Sequence, residues 1–474
     1  MRQRGRGDRA ELSPAWRRGK HDVMCTCHSE LFTKRRRAFL EAVTARAAEG
    51  DAVCVFPAAP VFTRNNDVEH DYRQDSDLFY LTGFNEPATV LVMGATRGPD
   101  GAAAEYRSTM FVRSRDPERE IWDGPRFGVD GVKEHFGADD AFVIDKLQEE
   151  LPKLFQNKKR LYYRLGVNRA MDDKVLEAID RTRARAKLGF TWPVEIIDPG
   201  TILHEMRLFK SKGDLDSMRK AADITAEAHI RAMGATKAGM HEFQVEAMLL
   251  ETFRKHGSER AAYGSIVGSG ANATILHYRQ NNKKMEQGEL LLIDAGAEYD
   301  YYAADVTRTF PVGAKFSKEQ EAIYQLVLDA QEAGIARTVK GSTLEQIHST
   351  CVDLITKGLV KLGLLDATRS VEELVKDEAY KPFFMHKTSH WLGMDVHDVG
   401  NYYLGGKARP LEAGMVLTVE PGIYIARDND KVPAEWRGIG VRIEDDILVT
   451  DGAPDNLTRA IPKTVAEVQR ASAA

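Results

Sequence analysis

The chain has 474 residues, of which 29% are charged and 43% hydrophobic; it is too long for one ordinary domain and has ample material for a core. Its formal net charge of -5 gives no electrostatic basis for holding nucleic acid. No apolar run approaches the roughly 20 residues of a membrane-spanning helix, so the composition argues for neither a nucleic-acid nor a membrane partner.

The first twenty residues, MRQRGRGDRAELSPAWRRGK, are arginine-rich and lack the apolar centre of a secretory signal. Gly5, Gly7 and Pro14 interrupt the amphipathic helix that a mitochondrial address would form. Residues 1–30 are therefore expected to be a basic, disordered extension, with structure starting near Leu31. Four cysteines, Cys25, Cys27, Cys54 and Cys351, are too sparse for a disulfide framework and suit a reducing, cytoplasmic setting. Cys25, Cys27 and His28 could make a small metal clip, but structural zinc normally uses two pairs at wider spacing.

From Thr33 to about Ala48 the apolar spacing predicts an amphipathic helix ended by Gly50. Strand-like runs follow in AVCVF, TVLVMGA and YRSTMFV, and helical runs in DDAFVIDKLQEELPKLF and DDKVLEAIDRTRARAKL. This mixture predicts a smaller α/β domain over residues 31–203. A second domain, 204–474, opens with the helical stretches KGDLDSMRKAADITAEAHIRAMGA and HEFQVEAMLLETFRKHG. Beyond Tyr263 it turns to short β-branched runs with glycine turns, interrupted by a helical section from Lys318 to Leu362. The overall class is α+β, and almost every chemically interesting residue falls in the second domain.

In LLLIDAGAEYDYYAADVTRTFPV two apolar runs flank EYDY, which reads as a β-hairpin. Asp294 and Asp305 lie at nearly equal distances from the turn, so pairing the arms brings their carboxylates together. Two unrelated strand-end aspartates are the plain alternative, but an unpaired charge buried in an apolar strand is costly. FFMHKTSHWLGMDVHDVG adds His386, His390 and His397 beside Asp395 and Asp398. Spacing by four puts His386 and His390 on one face of a helix or a strand. Glu420 ends the apolar run MVLTV before Pro-Gly, where a strand stops and the chain turns. In GIGVRIEDDILVT, Arg442 and Glu444 share one face of a strand, with Val441 and Ile443 on the other.

Four carboxylates with one or more histidines suit manganese, cobalt, iron or zinc better than a thiolate site would. Clustered carboxylates repel by about 4 kcal/mol per close pair at an effective permittivity near 20. Two divalent ions would cancel that charge, activate a water and polarise a carbonyl.

The motifs IDAG, DVTRTF, HWLGMDVHD, TVEPGIY and RIEDD resemble the metallopeptidases of the pita-bread fold, and the resemblance runs from about Thr33 onward. YRQDSDLFYLTGFNEP, EIWDG, HEMRLFKS and SHWLG are similar to bacterial aminopeptidase P in particular. The resemblance implies a pita-bread catalytic domain with Asp294 on one metal ion and His390 and Glu420 on the other. Asp305 and Glu444 would bridge the two ions, manganese ahead of cobalt, zinc or iron, around a nucleophilic water or hydroxide. Glu420 would also handle that water's proton, while His277, His386 and His397 would line the substrate side. Arg442 would hold the bridging carboxylates. The implied reaction is hydrolysis after the first residue of a peptide with proline second, in a homodimer or homotetramer.

Prolidase shares both domains and the metal site, and is the serious competitor. A pita-bread scaffold without catalysis, or a metal-free hydrolase of the creatinase type, would lack ligands that are all present here. Lys387 follows His386 where a small residue is common in relatives, a departure that bears on access or substrate preference, and the basic extension matches no recognised part of the family pattern.

Overall fold

Residues 27–46, 51–96, 104–313 and 315–473 are described by the structure, a computed structural model. The Cys25–Cys27–His28 grouping and most of the basic extension lie outside the described side chains. The chain divides into two compact units, Met1–Leu203 and His204–Ala474.

In the first unit, helix α1 (Cys27–Arg46) starts ahead of Leu31 and buries Phe32, Phe39, Leu40 and Val43 on one face. Strand β1 (Asp51–Pro57) follows, then a small hairpin of β2 (Thr63–Asn65) and β3 (Val68–Glu69) and helix α2 (Ser76–Thr82). Strands β4 (Val90–Thr96) and β5 (Glu105–Val112) precede helices α3 (Pro117–Asp123) and α4 (Gly128–Phe136). Next come β6 (Asp140–Val143), α5 (Leu147–Leu154), β7 (Lys158–Tyr162), α6 (Arg169–Arg183) and β8 (Glu195–Ile197). Six strands form one mixed sheet in the order β6-β5-β4-β1-β7-β8.

One expectation fails in this unit. The run from Asp139 to Phe155 has helical spacing, yet its first part is the strand β6, paired parallel to β5 from Thr109↔Asp140 to Val112↔Val143. An available sheet edge outweighs local spacing, and Phe142 stacks on Phe111 with ring centroids 5.5 Å apart. The helix waits until Leu147.

Helix α7 (Gly200–Leu208) contains the division between the units. The second unit continues with α8 (Lys212–Ala235), whose N-terminus is closed by a reciprocal Ser211–Asp214 capping box, and α9 (Glu242–Lys255). Strands β9 (Arg260–Ala261), β10 (Ile266–Ser269), β11 (Leu290–Asp294), β12 (Ala297–Tyr299), β13 (Tyr302–Ala303) and β14 (Thr307–Pro311) come next. Helices α10 (Lys318–Arg337), α11 (Leu344–Lys361) and α12 (Val371–Lys376) follow. The chain closes with β15 (Tyr403–Leu404), β16 (Lys407–Ala408), β17 (Val416–Val419), β18 (Gly422–Tyr424), β19 (Gly440–Arg442), β20 (Asp445–Leu448), β21 (Asp455–Asn456) and α13 (Val465–Ser472). None of the described helices is long and apolar enough to cross a membrane.

Alternation along the strands decides which side chains meet. Leu291 and Ile293 of β11, Phe310 of β14 and Val441 of β19 join the main core with Val245, Leu249, Tyr324 and Ile355 of the helices. Each such side chain, fully buried, contributes about 1.5–3 kcal/mol. Leu292 points the other way, into a small cluster with Tyr278 and Tyr424. Asp294, Thr307, Thr309 and Arg442 continue that second face, all buried. The sheet thus has a greasy side against helices and a polar side that carries the site.

Candidate metal centre

The predicted hairpin is present. Strands β11 and β14 pair antiparallel from Leu290↔Pro311 to Asp294↔Thr307, and β12 and β13 extend it beyond a local break. Its two-residue turn, Asp300 and Tyr301, has φ of +48° and +67°, the left-handed pair that matches the twist of the strands. Gly296 is required at the break: a Cβ there would lie 1.7 Å from the carbonyl oxygen of Ala304. Asp294 and Asp305 are brought together on either side of that break. The Tyr263 hydroxyl lies 2.6 Å from Asp294 Oδ1 and 2.5 Å from Asp305 Oδ1, bridging them.

His386 and His390 lie in a stretch with neither helix nor strand, so a shared face is not what relates them. They reach opposite oxygens of one carboxylate: His390 Nε2 is 3.5 Å from Glu420 Oε1, and His386 Nδ1 is 3.8 Å from Oε2. His390 Nε2 is also 3.3 Å from Asp305 Oδ2, while its Nδ1 donates to the carbonyl of Trp391 at 3.0 Å. A carbonyl only accepts, so this bond fixes which nitrogen faces the acids. Both nitrogens of His386 are engaged, Nδ1 with the carbonyl of Lys387 (2.7 Å) and Nε2 with the Tyr424 hydroxyl (2.8 Å). His397 is exposed, with its ring 4.2 Å from that of His390. His277 is also exposed; burial lowers the pKa of both His386 and His397, and nearby His277 adds to the lowering.

Arg442 and Glu444 do not share one continuous strand, because β19 ends at Arg442 and β20 begins at Asp445. They are nevertheless tied together. Arg442 Nη2 donates to Asp294 Oδ2 (2.6 Å), Nε to Thr307 Oγ1 (3.0 Å) and Nη1 to the Tyr424 hydroxyl (3.0 Å). Thr307 Oγ1 in turn donates to Glu444 Oε2 at 2.6 Å. Asp305, His390 and Glu444 each offer one ligand atom within 4.8 Å of the others.

The electrostatics show a centre short of positive charge. Burial pushes the Glu420 carboxyl up to about 7, with the charge of Asp305 adding to it against His390. Glu444 is held well above the usual carboxylate range by burial and by Asp305, Glu420 and Asp294. Asp294 is raised by burial, with Arg442 opposing. Burial alone would lower His390, but its bond to Asp305 and the charge of Glu420 lift it to about 9. Four acids thus face one guanidinium and one imidazole. Hard oxygen donors, one imidazole nitrogen and missing positive charge are what divalent cations fit.

Asp395 and Asp398, grouped by sequence with the histidines, belong elsewhere. Arg207 Nη2 donates to Asp395 Oδ2 (2.8 Å) and Asp398 Oδ1 (2.6 Å), and Lys210 Nζ donates to Asp398 Oδ2 (3.1 Å). They fasten the histidine segment to the residues around α7. Sequence reasoning missed Tyr263, Thr307 and Tyr424. Tyr263 is 31 and 42 residues from its two aspartates, and no spacing rule reaches that far. Thr307 and Tyr424 sit inside the motifs DVTRTF and TVEPGIY, where the neighbouring acids drew the attention.

Residues 216–451 match the model of metallopeptidase family M24, and residues 32–162 match that of the aminopeptidase P N-terminal domain. The chain belongs to family M24, in its aminopeptidase P branch. It is 43% identical to the Xaa-Pro aminopeptidase of Escherichia coli, over 92% of this chain and 96% of that protein. Xaa-Pro aminopeptidase 3 of Homo sapiens is 32% identical over 92% of this chain and 84% of its own length. Among solved structures, aminopeptidase PepP of Pseudomonas aeruginosa superposes with a TM-score of 0.88 at 48% identity, covering 94% of this chain and 98% of that one. Zinc-substituted Escherichia coli aminopeptidase P in complex with product gives 0.88 at 42% identity, with 94% and 98% covered. The fold is the pita-bread domain with its aminopeptidase P partner domain, and the chain is a metallopeptidase.

Proposed function

We propose that this protein is a dinuclear aminopeptidase that hydrolyses the bond between a free N-terminal residue and a following proline. The observation that carries the reading is the convergence of buried Asp294, Asp305 and Glu444 with Glu420 and His390 around Arg442. Asp294 would hold one ion, His390 and Glu420 the other, and Asp305 and Glu444 both. Bound there, divalent ions, manganese first among them, supply an activated water and polarise the scissile carbonyl.

The remaining work falls to the chain's own groups, with the chemistry assigned to residues 204–474. Glu420, whose ordinary acidity burial has already weakened, accepts the proton of the attacking water and delivers it to the leaving proline nitrogen. His397, exposed with its ring 4.2 Å from that of His390, and His277, exposed and near His386 and His397, donate to the oxyanion and flank the proline ring. His386 acts from behind, holding the Tyr424 hydroxyl that also receives Arg442. Proline brings no N–H to the scissile bond and has a fixed φ, so a dedicated pocket is needed.

The 43% identity to the Xaa-Pro aminopeptidase of Escherichia coli, over 92% of this chain, favours this reading over prolidase. Cys54 and Cys351 are buried free thiols raised by burial, which suits the cytoplasm, and the assembly we propose is a homodimer or homotetramer. A manganese-supplemented assay on Xaa-Pro-Yaa and Xaa-Pro tests the substrate class. Faster release of the first residue from the tripeptide is expected; cleavage of the dipeptide alone would make the enzyme a prolidase.

A further inference from the structure

Glu242 is the first residue of α9, fully buried, and not among the groups that the chemistry above uses. Its carboxylate accepts five hydrogen bonds. Oε1 accepts from the backbone N–H of Ser269 (2.7 Å), the Ser269 hydroxyl (2.8 Å) and the amide of Asn272 (3.1 Å). Oε2 accepts from the Tyr278 hydroxyl (2.8 Å) and the backbone N–H of Lys283 (2.9 Å). All five donors are neutral, so their number and direction must offset the cost of burying the charge.

These donors belong to one segment. Ser269 ends β10, Asn272 lies in the short helical turn Gly270–Thr274, Tyr278 follows His277, and Lys283 leads out. A single carboxylate therefore grips both ends and the middle of the loop that presents His277. The main chain reinforces the grip, because the N–H of Glu242 donates to the carbonyl of Lys283 at 3.0 Å. The held loop is also registered against the site: the Tyr278 ring packs in the cluster that contains Tyr424, whose hydroxyl meets His386 and Arg442. With Tyr278 pinned inward at its hydroxyl, the adjacent His277 side chain is left outside.

We propose that Glu242 is a positioning residue for the peptidase reaction, acting through the loop 269–283 to set the place of His277. This rests on the substrate-facing role given to His277 above. The amide of a glutamine cannot replace the carboxylate, because its NH2 group would face a fixed backbone N–H at either oxygen position: Ser269 on one side, Lys283 on the other.

The test is a double-mutant cycle on the full-length, manganese-loaded enzyme with an Xaa-Pro-Yaa substrate. Glu242→Gln should lower kcat/KM about tenfold or more, chiefly in kcat, in the wild-type background. In the His277→Ala background the same change should cost less than about twofold. Tyr278→Phe, which removes one of the five bonds, should give a smaller loss with the same dependence on His277. Hydrogen exchange should rise over residues 269–283 in Glu242→Gln while residues 290–311 stay protected. An equal fold-loss in both backgrounds for both variants would overturn the proposal, since Glu242 would then act on stability in general. Full activity of His277→Ala would instead sink the role of His277 itself, and the positioning role with it.

Discussion

Arg442 Nη2 meets Asp294 Oδ2 at 2.6 Å, from a guanidinium that is itself 3% exposed. The same guanidinium spends its other donors on Thr307 and Tyr424, so one planar group fixes the acid, the threonine that bonds Glu444, and the tyrosine that bonds His386. A lysine has a comparable charge but cannot hold three partners in that geometry. Arg442→Lys should therefore lower manganese affinity or kcat/KM by about 10–100-fold. Metal titration and steady-state kinetics measure this, and a variant matching wild type in both would contradict the assignment.

Tyr263 bridges Asp294 and Asp305 with one hydroxyl, held well above its usual pKa by burial and by those acids. Tyr263→Phe leaves two buried carboxylates facing one another with that donor gone. Protein stripped of metal should lose about 1–3 kcal/mol of stability, and the metal-loaded protein less. Urea unfolding with and without manganese reads the difference; equal losses in both states would contradict it.

His229 tests the support beneath the site. It is fully buried, with Nε2 3.0 Å from the carbonyl oxygen of Ala295, the neighbour of Asp294. Burial lowers its pKa to about 4. The unfolded side chain titrates near 6.5, so between those values the unfolded state binds more protons. Stability that is complete above about pH 6.5 should fall as the pH drops towards 4, by roughly 3 kcal/mol in all. His229→Gln keeps a donor for Ala295 and does not titrate. Its melting temperature should drop less between pH 7 and pH 5 than that of wild type, and parallel curves would refute the claim.

Asp398 is buried and held below its usual pKa, because Lys210 and Arg207 outweigh the burial that would raise it. Replacing one member of such a group strands the others. Asp398→Asn should cost about 3–5 kcal/mol, measured by denaturant unfolding, and an unchanged midpoint would show that the cluster does not hold the segment carrying His390 and His397.

The sequence carried much of this because local rules governed it. Asp294 and Asp305 could be paired from the apolar arms around EYDY alone, and the helix from Lys212 to Ala235 from spacing alone. What it could not carry was distant pairing. Asp139 to Phe155 reads as one helix until an edge strand is there to capture Asp140–Val143. Asp395 and Asp398 look like companions of the histidines until Arg207 and Lys210 arrive from the start of the domain. Tyr263 and Glu242 gave no signal at all, because a hydroxyl or carboxylate that bonds across 27 to 42 residues has no local periodicity to betray it.

The most direct test of the account is removal and return of metal. Protein dialysed against a chelator should lose release of the first residue from Xaa-Pro-Yaa, and manganese should restore it as two ions bind per chain, with Asp294→Ala and His390→Ala failing to recover. Undiminished cleavage by chelator-treated protein of verified metal content would contradict the two-metal reading outright.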